Sequence, residues 1–312
     1  MDGDVNNVLN WSGDAKPGNN DDVIIPAWAT NGMTLNLAGL TGVTLNSFWV
    51  QDGFAKMIGN DTAGTPIAWQ YLELDISGSA PTRFRWEGTS ALAKIHFIKT
   101  GQNVSIEVIK TGRGNAGKPA LQLMSNNVDG LSTFIGSTMI YKGQVALGWD
   151  HQVFECDDIT IGEYGSKTDA KVLIGKNATK MGGTGIDIHM NGGMVTNDAA
   201  CVTVDMMDGE LEHRNGDITT LNLFGGIFDP NNPRIAASGS ANVIATMNLR
   251  GGWFRNVRSP TEVEITTANL YKGRFDDPMG AVKWDSGHNV IWKGMWADVE
   301  TDFGPDKTIQ FQ

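Results

Sequence analysis

The sequence predicts an all-β protein, a right-handed parallel β-helix (β-solenoid) with short coils of roughly 16–26 residues. Three observations predict it. The composition is that of strands and turns, with 39 glycines in 312 residues, 40% hydrophobic and only 19% charged residues. A phrase of alternating apolar residues, a glycine and a further apolar residue recurs six times towards the C-terminus. The interval between copies is too short for a strand–helix–strand unit of roughly 30 residues and suits one coil of a solenoid.

The six copies are IDIHMNGGMV, VTVDMMDGEL, TLNLFGGIF, TMNLRGGWF, TANLYKGRF and HNVIWKGMW. Their shared glycines are Gly193, Gly209, Gly226, Gly252, Gly273 and Gly294, spaced by 16, 17, 26, 21 and 21 residues. Three positions before the glycine stand Met190, Met206, Leu223, Leu249, Leu270 and Ile291. Two positions after it stand Val195, Leu211, Phe228, Phe254, Phe275 and Trp296. Five positions before it come Ile188, Val204, Leu221, Met247 and Ala268, with Asn289 the exception. Apolar residues at period two mark a strand with one buried face.

The glycine predicts a corner, because a sharp bend at φ > 0 carries no Cβ penalty in glycine alone. Leu223, Leu249 and Leu270 then enter the core before the corner, and Phe228, Phe254 and Phe275 after it. Stacked coils would place equivalent residues ~4.8 Å apart in aliphatic and aromatic ladders. The longer intervals carry the turn-rich inserts DPNNPRIAASGSAN and RNVRSPTEV, which would bulge from one side.

Upstream the pattern is looser. MTLNLAGLTGVTLNSFWV, WQYLELDISG, SIEVIKTG, PALQLMSNN, DDITIGEYG and AKVLIGKNA are short alternating strands between Gly, Asn or Asp turns. TSALAKIHFIK, from Thr89 to Lys99, admits a helix, but Ile95, Phe97 and the following VSIEVI fit strands, and a strand is the reading adopted. The organisation expected is an arm or cap over 1–22, a solenoid over 23–296 with regular repeats from about 181, and a tail or cap over 297–312. Both ends need a cap or a partner, since an open solenoid end exposes unpaired strand edges.

Charge narrows the function. The net charge is −11, and 24 Lys and Arg scattered without a cluster give no footprint for nucleic-acid phosphates. No apolar run approaches the ~18 residues of a membrane span, and the polar start lacks the basic and apolar regions of a signal peptide. Neither nucleic acid nor a membrane is an expected partner. Cys156 and Cys201 are 45 residues apart, without metal-ligand spacing, and read as small buried apolar side chains.

Each motif that could carry chemistry has a plainer reading. GRGNAG (Gly112 to Gly117) satisfies Gly-x-Gly-x-x-Gly, yet KPALQL follows, so the helix that should receive a pyrophosphate is missing. GGTGIDIHM (Gly182 to Met190) approaches the calcium-binding nonapeptide, but His189 replaces its apolar residue and no tandem copy follows. The acidic pairs Asp21-Asp22, Asp157-Asp158 and Asp276-Asp277 could serve as acid and base in glycan cleavage, but all fall at strand boundaries, where Asp is an ordinary turn residue. SGHNV around His288 and RFRW around Arg83 and Arg85 are the nearest approach to the accompanying residues of polysaccharide-cleaving β-helices, and neither completes that constellation. His96, His151, His189 and His213 are singletons, and no Gly-x-Ser-x-Gly elbow occurs. The expectation is a non-enzymatic protein without catalytic residues, metal or cofactor.

Tryptophan is more informative. Trp11, Trp28, Trp149, Trp292 and Trp296 stand in polar, turn-like contexts. Exposed Trp is enriched at interfaces and in sugar-binding grooves, so Trp11, Trp28, Trp292 and Trp296 are candidate interface residues; covering a coil end or a bend is the equal alternative.

NWSGDAKPGNNDDVIIPAWAT resembles the Trp-Ser-Gly, proline, Asp-x-Val-x-Ile-Pro opening of many bacterial and phage β-helix proteins. GLTGVTLNSFWVQDGFAKMIG (Gly39 to Gly59) and the TLNLFGGIFD units resemble β-solenoid proteins encoded among tailed-phage structural genes. The resemblance implies a virion component on the particle exterior, a capsid decoration or cement protein or a tail part, and transfers no catalytic residue. Its expected partners are further copies of itself, as a homotrimer around a three-fold axis, and the major capsid protein or another virion protein. The alternative is a tailspike that binds or cleaves host surface polysaccharide. A bacterial adhesin passenger is a third reading, against which the missing signal segment stands.

Overall fold

The computed structural model describes residues 3–61, 69–79, 82–100, 104–114, 119–125, 135–148, 153–166, 168–180, 185–230, 242–257, 263–278, 280–283, 289–292 and 299–302. Of these, 57% lie in strands and 3% in helix, so the protein is all-β. No helix among them is long and apolar enough to cross a membrane. The chain forms two compact units, Met1–Asp157 with Ala170–Met181, and Asp158–Asp169 with Gly182–Gln312. The division falls inside the segment that the sequence reading treats as one solenoid.

In the first unit, Asp22–Ile25, Ser47–Val50, Arg83–Trp86, Val104–Val108 and Ile135–Ile140 pair in succession, every pairing parallel. Alternate residues share a face, so Val23, Phe48, Phe84 and Ile106 form one buried column and Ile25, Val50, Trp86 and Val108 another. Phe48 lies on Phe84 with ring centroids 6.1 Å apart and planes 6° from parallel. A second parallel succession joins Leu72–Ile76, Ala93–Thr100, Leu121–Ser125, Gln144–Leu147 and Lys171–Ile174. It aligns buried Leu72, Ile95, Leu123, Leu147 and Ile174. Residues 93–100 are strand, as Ile95 and Phe97 indicate.

In the second unit the strands are longer. Ile186–Asn197, Cys201–His213, Asn242–Arg255 and Val263–Asp276 each run through a repeat glycine. Ile218–Leu223 and Ile227–Pro230 are interrupted at theirs. All their mutual pairings are parallel. Met190, Met206, Leu223, Leu249 and Leu270 share one fully buried column, and Val195, Leu211, Phe228, Phe254 and Phe275 another. Phe254 stacks on Phe228 at 5.8 Å and on Phe275 at 4.7 Å. Such parallel, offset ring pairs add about 0.5–1.5 kcal/mol each beyond their burial.

The glycine column has two physical causes. Gly193, Gly209, Gly226 and Gly273 hold φ of 82°, 95°, 73° and 118°, the left-handed region that glycine tolerates. Gly252 does not share that conformation. Instead, a Cβ there would lie 2.8 Å from the Gly225 carbonyl oxygen, and Cβ atoms at Gly209 and Gly226 would lie 2.6 Å from the carbonyl oxygens of Gly193 and Gly209. Gly209, Gly226 and Gly252 are therefore also points where neighbouring backbones approach too closely for a side chain. Register shifts at Asn191/Met194 and Arg250/Trp253 make the bend a bulge inside a hydrogen-bonded strand more often than a break between strands.

The sixth repeat is displaced from its place in the sequence alignment. Ala268 pairs with Val290 and Leu270 with Trp292, one residue beyond the alignment of Asn289 and Ile291 with those positions. Gly273 and Phe275 face Val299 and Thr301. The slip has a simple cause: it turns Val290 inward, 9% exposed, where the aligned register would have turned the Asn289 amide towards the core. Gly294 and Trp296 themselves lie outside the described residues.

Candidate docking surface

Exposed apolar surface, Leu9, Ile24, Trp28 and Leu35 among it, gathers at the beginning of the first unit. Residues 8–10 and 12–14 form two short 3₁₀ turns, the first capped by the Asn7 side chain, which accepts from Leu9 N–H at 3.1 Å. The Asp4 carboxylate accepts from Asn36 Nδ2 at 2.7 Å, and Trp11 Nε1 donates to the Val5 carbonyl at 3.0 Å, which fixes the Trp11 ring. Pro26 to Ala29 is a turn closed by Ala29 N–H on the Pro26 carbonyl at 3.1 Å, and it presents Trp28 outward, 73% exposed. Trp11 and Trp28 line one cleft of ≈ 190 Å³ with Ile24, Pro26 and Met33. Small-molecule sites span about 300–1,000 Å³, and this cleft is smaller than that.

Ile24, 49% exposed, also borders a shallower groove of ≈ 400 Å³ over the outer face of the first strand succession. Strand alternation places Asp22, Ser47 and Arg83 in one outward column and Ile24, Trp49, Arg85 and Glu107 in the next. Ser47 Oγ donates to Asp22 Oδ1 at 2.5 Å. The Arg85 guanidinium lies 5.7 Å over the Trp49 ring and reaches Glu87 at 2.6 Å and Glu107 at 3.6 Å, while Trp49 Nε1 donates to Glu87 at 3.2 Å. Arg83 is exposed and has no ion-pair partner among the described residues. The groove thus offers an aromatic edge, a guanidinium and a carboxylate side by side.

Other chemistry-bearing residues are engaged structurally. In the second unit, Cys201, His213 and Asn197 meet, the residue types of a cysteine-nucleophile triad. His213 Nε2 lies 2.7 Å from the Gly216 carbonyl oxygen, which can only accept, so Nε2 carries the proton and Nδ1 accepts from Asn197 Nδ2 at 3.0 Å. Asn197 also donates to Cys201 Sγ at 3.1 Å. Burial pushes the Cys201 thiol up to about 12 and the His213 imidazole down to about 4. The trio supplies no thiolate at neutral pH and serves as a hydrogen-bonded core element. Cys156 is likewise buried.

Two of the acidic pairs are similarly engaged. Asp277, fully buried, accepts from Asn256 Nδ2 at 3.0 Å and from the N–H groups of Ala281 and Val282 at 2.9 and 2.8 Å, closing a turn. Asp276 accepts from Trp253 Nε1 at 3.0 Å and pairs with Arg274 at 2.7 Å. Asp21 accepts from Gly18 N–H at 2.7 Å. Among the described residues no group of three or more His, Cys, Asp or Glu is placed to hold a metal ion. In GRGNAG, Gly114 N–H donates to Gln144 Oε1 at 2.9 Å, and the described chain resumes as the strand Leu121–Ser125. Residues 115–118 and 182–184, like His151, His288 and Trp149, lie outside the described residues, as does the side chain of Trp292.

One polar feature escaped the sequence reading. Four residues before the first five repeat glycines stand His189, Asp205, Asn222, Asn248 and Asn269. They form a continuous chain on the outward face: His189 Nδ1 and Asp205 Oδ2 at 3.1 Å, Asn222 Nδ2 to Asp205 Oδ1 at 2.7 Å, Asn248 Nδ2 to Asn222 Oδ1 at 2.8 Å and Asn269 Nδ2 to Asn248 Oδ1 at 2.8 Å. Stacked side-chain amides at strand spacing satisfy one another in just this way. The signal was the recurrent Asn in TLNL, TMNL and TANL.

Comparison of the chain with protein-family models, with curated proteins and with solved structures finds no match in any of the three.

Proposed function

We propose that the chain is a right-handed parallel β-helix acting as a structural virion protein of a tailed phage, a capsid decoration or cement protein docked on the outside of the shell. It works as a scaffold and not as a catalyst. The observation that carries the reading is the filling of each unit by in-register apolar columns, Phe48 on Phe84 in the first and Phe228 through Phe275 in the second. A fold of this kind spends its sequence on rigidity. The partners are the major capsid protein or another virion protein, met through Trp11, Trp28 and Ile24, because interface hot spots are rich in exposed Trp. Mass spectrometry of purified particles should find the chain in fixed stoichiometry, and Trp28→Ala should weaken its binding to stripped particles while leaving its circular dichroism unchanged. Absence of the chain from the particles would overturn the proposal.

A second reading, a tail component that binds host polysaccharide, is favoured by the groove that joins Ile24 and Trp49 to Asp22, Arg83 and Arg85. Aromatic faces beside charged hydrogen-bonding groups suit sugar rings. Incubation with host surface polysaccharide separates the two: this reading requires retention of the glycan that Arg83→Ala abolishes, whereas a cement protein retains none.

A further inference from the structure

The second unit carries an exposed stripe beside its glycine column. Successive chain passes contribute Met207 and Asp208, then Phe224 just after its strand ends at Leu223, then Arg250, then Tyr271 and Lys272. Met207 and Phe224 are 40% and 42% exposed, and Asp208, Arg250 and Lys272 are exposed as well. The Arg250 guanidinium lies 5.8 Å over the Phe224 ring and 4.5 Å over the Tyr271 ring, held there by two aromatic faces and by no carboxylate among the described residues. The composition, Met, Phe, Arg and Tyr, is that of an interface core.

The charges of the stripe decide what it fits. Asp208 accepts only from its neighbour Gly209 N–H, at 2.7 Å, and meets no cation among the described residues. Lys272 at the other end, and Arg250 on the strand before it, meet no anion among them. Elsewhere on this unit Arg255 holds Glu210 at 2.5 Å and Asp229 at 2.9 Å, and Arg274 holds Asp276. The stripe is thus negative at one end, positive at the other and aromatic between. Three strand steps of ~4.8 Å separate its ends by about 14 Å. A two-fold axis through its centre, between Phe224 and Arg250, lays the negative end of one copy on the positive end of the other.

We propose that this stripe is a two-fold contact between two copies of the chain, with Asp208 of each copy meeting Lys272 of the other and the Arg250 and Phe224 side chains interleaved at the axis. An isologous contact of this kind needs a self-complementary patch, which the stripe supplies. It is independent of the virion reading, and it replaces the three-fold packing expected from the sequence with a two-fold one. The patch is small beside the 1,200–2,000 Å² of a stable interface, so the dimer should be weak and salt-sensitive.

Charge reversal in the full chain tests it by sedimentation equilibrium. The unaltered protein should show a monomer–dimer equilibrium that shifts towards monomer as salt rises. Asp208→Lys and Lys272→Asp should each weaken it at least tenfold, since each places like charges at both contacts. An equimolar mixture of the two variants should dimerise again, because a 208 lysine then faces a 272 aspartate and a 272 lysine a 208 aspartate. A trimer, a strictly monomeric protein, or a mixture that stays as weak as its separate components would overturn the proposal. Circular dichroism of each variant confirms that the fold survives.

Discussion

Three glycine-to-alanine substitutions in the second unit separate the two causes of the glycine column. At Gly165, φ is +77° and no atom lies within 4 Å of the place a methyl group would take, so only backbone conformation opposes alanine. The left-handed region costs about 1–2 kcal/mol, and the less flexible unfolded chain returns about 0.4–1 kcal/mol. Gly165→Ala should therefore destabilise by about 0.5–1 kcal/mol. At Gly252, φ lies outside the left-handed region, but the new methyl would stand 2.8 Å from the Gly225 carbonyl oxygen, where ordinary contact begins at 3.4 Å. Forcing neighbouring backbones apart is overpacking, about 1–3 kcal/mol, and the same unfolded-state gain leaves about 1–2 kcal/mol of destabilisation for Gly252→Ala. Gly226 combines φ of +73° with a methyl 2.6 Å from the Gly209 carbonyl oxygen, so its substitution should lose about 2–4 kcal/mol. Urea midpoints followed by tryptophan fluorescence give the three values. If Gly252→Ala proves neutral or stabilising, as substitution of an uncrowded glycine should be, the close approach of neighbouring backbones is not what the column protects.

Three further outcomes follow from the packing. Phe254→Ala removes the middle ring of the stack and should cost about 3–5 kcal/mol, at the upper end because two ring pairs are lost together; the urea midpoint measures it. His213 is neutral when folded, with its proton affinity lowered from 6.5 to about 4, so the unfolded chain binds the extra proton as pH falls between those values. Stability should be complete above pH 6.5 and should decline by up to about 3 kcal/mol towards pH 4; in a thermal-midpoint series against pH, His213→Gln should flatten that slope. Gln122, 1% exposed, has no hydrogen-bond partner for either its amide nitrogen or its amide oxygen among the described residues. Gln122→Met should accordingly raise stability by about 1–2 kcal/mol in the same denaturation assay, and a loss of that size would show that the amide is satisfied after all.

The inward face was legible because it depends on alternation alone. Leu223, Phe228, Leu249 and Phe254 are placed by a period of two that any strand imposes, and a one-residue error would turn a whole apolar set to solvent. The glycine column was legible as a bend. Its second cause, the carbonyl of the neighbouring strand under each Cα, involves an atom every residue possesses and so leaves no mark in composition. The last repeat was misaligned because WKG copies the glycine phrase, while the pairing followed Val290 into the core. Trp11 and Trp28 stood out as tryptophans in polar context, but their shared cleft depends on Asp4 and Asn36 fastening the N-terminal turns.

By itself, then, the sequence determined that this is an all-β chain, which residues face inward, and where the backbone must bend. Those properties follow from side-chain polarity and local backbone sterics, which act within a few residues. The tertiary structure decided who stands beside whom: the asparagine chain from Asp205 to Asn269, the seating of Arg250 between Phe224 and Tyr271, and the sealing of Cys201 with His213 and Asn197. Lateral neighbours are set by the length of chain between successive strands, and those lengths vary with every loop. No local pattern encodes them, and the outward chemistry of the protein is made of them.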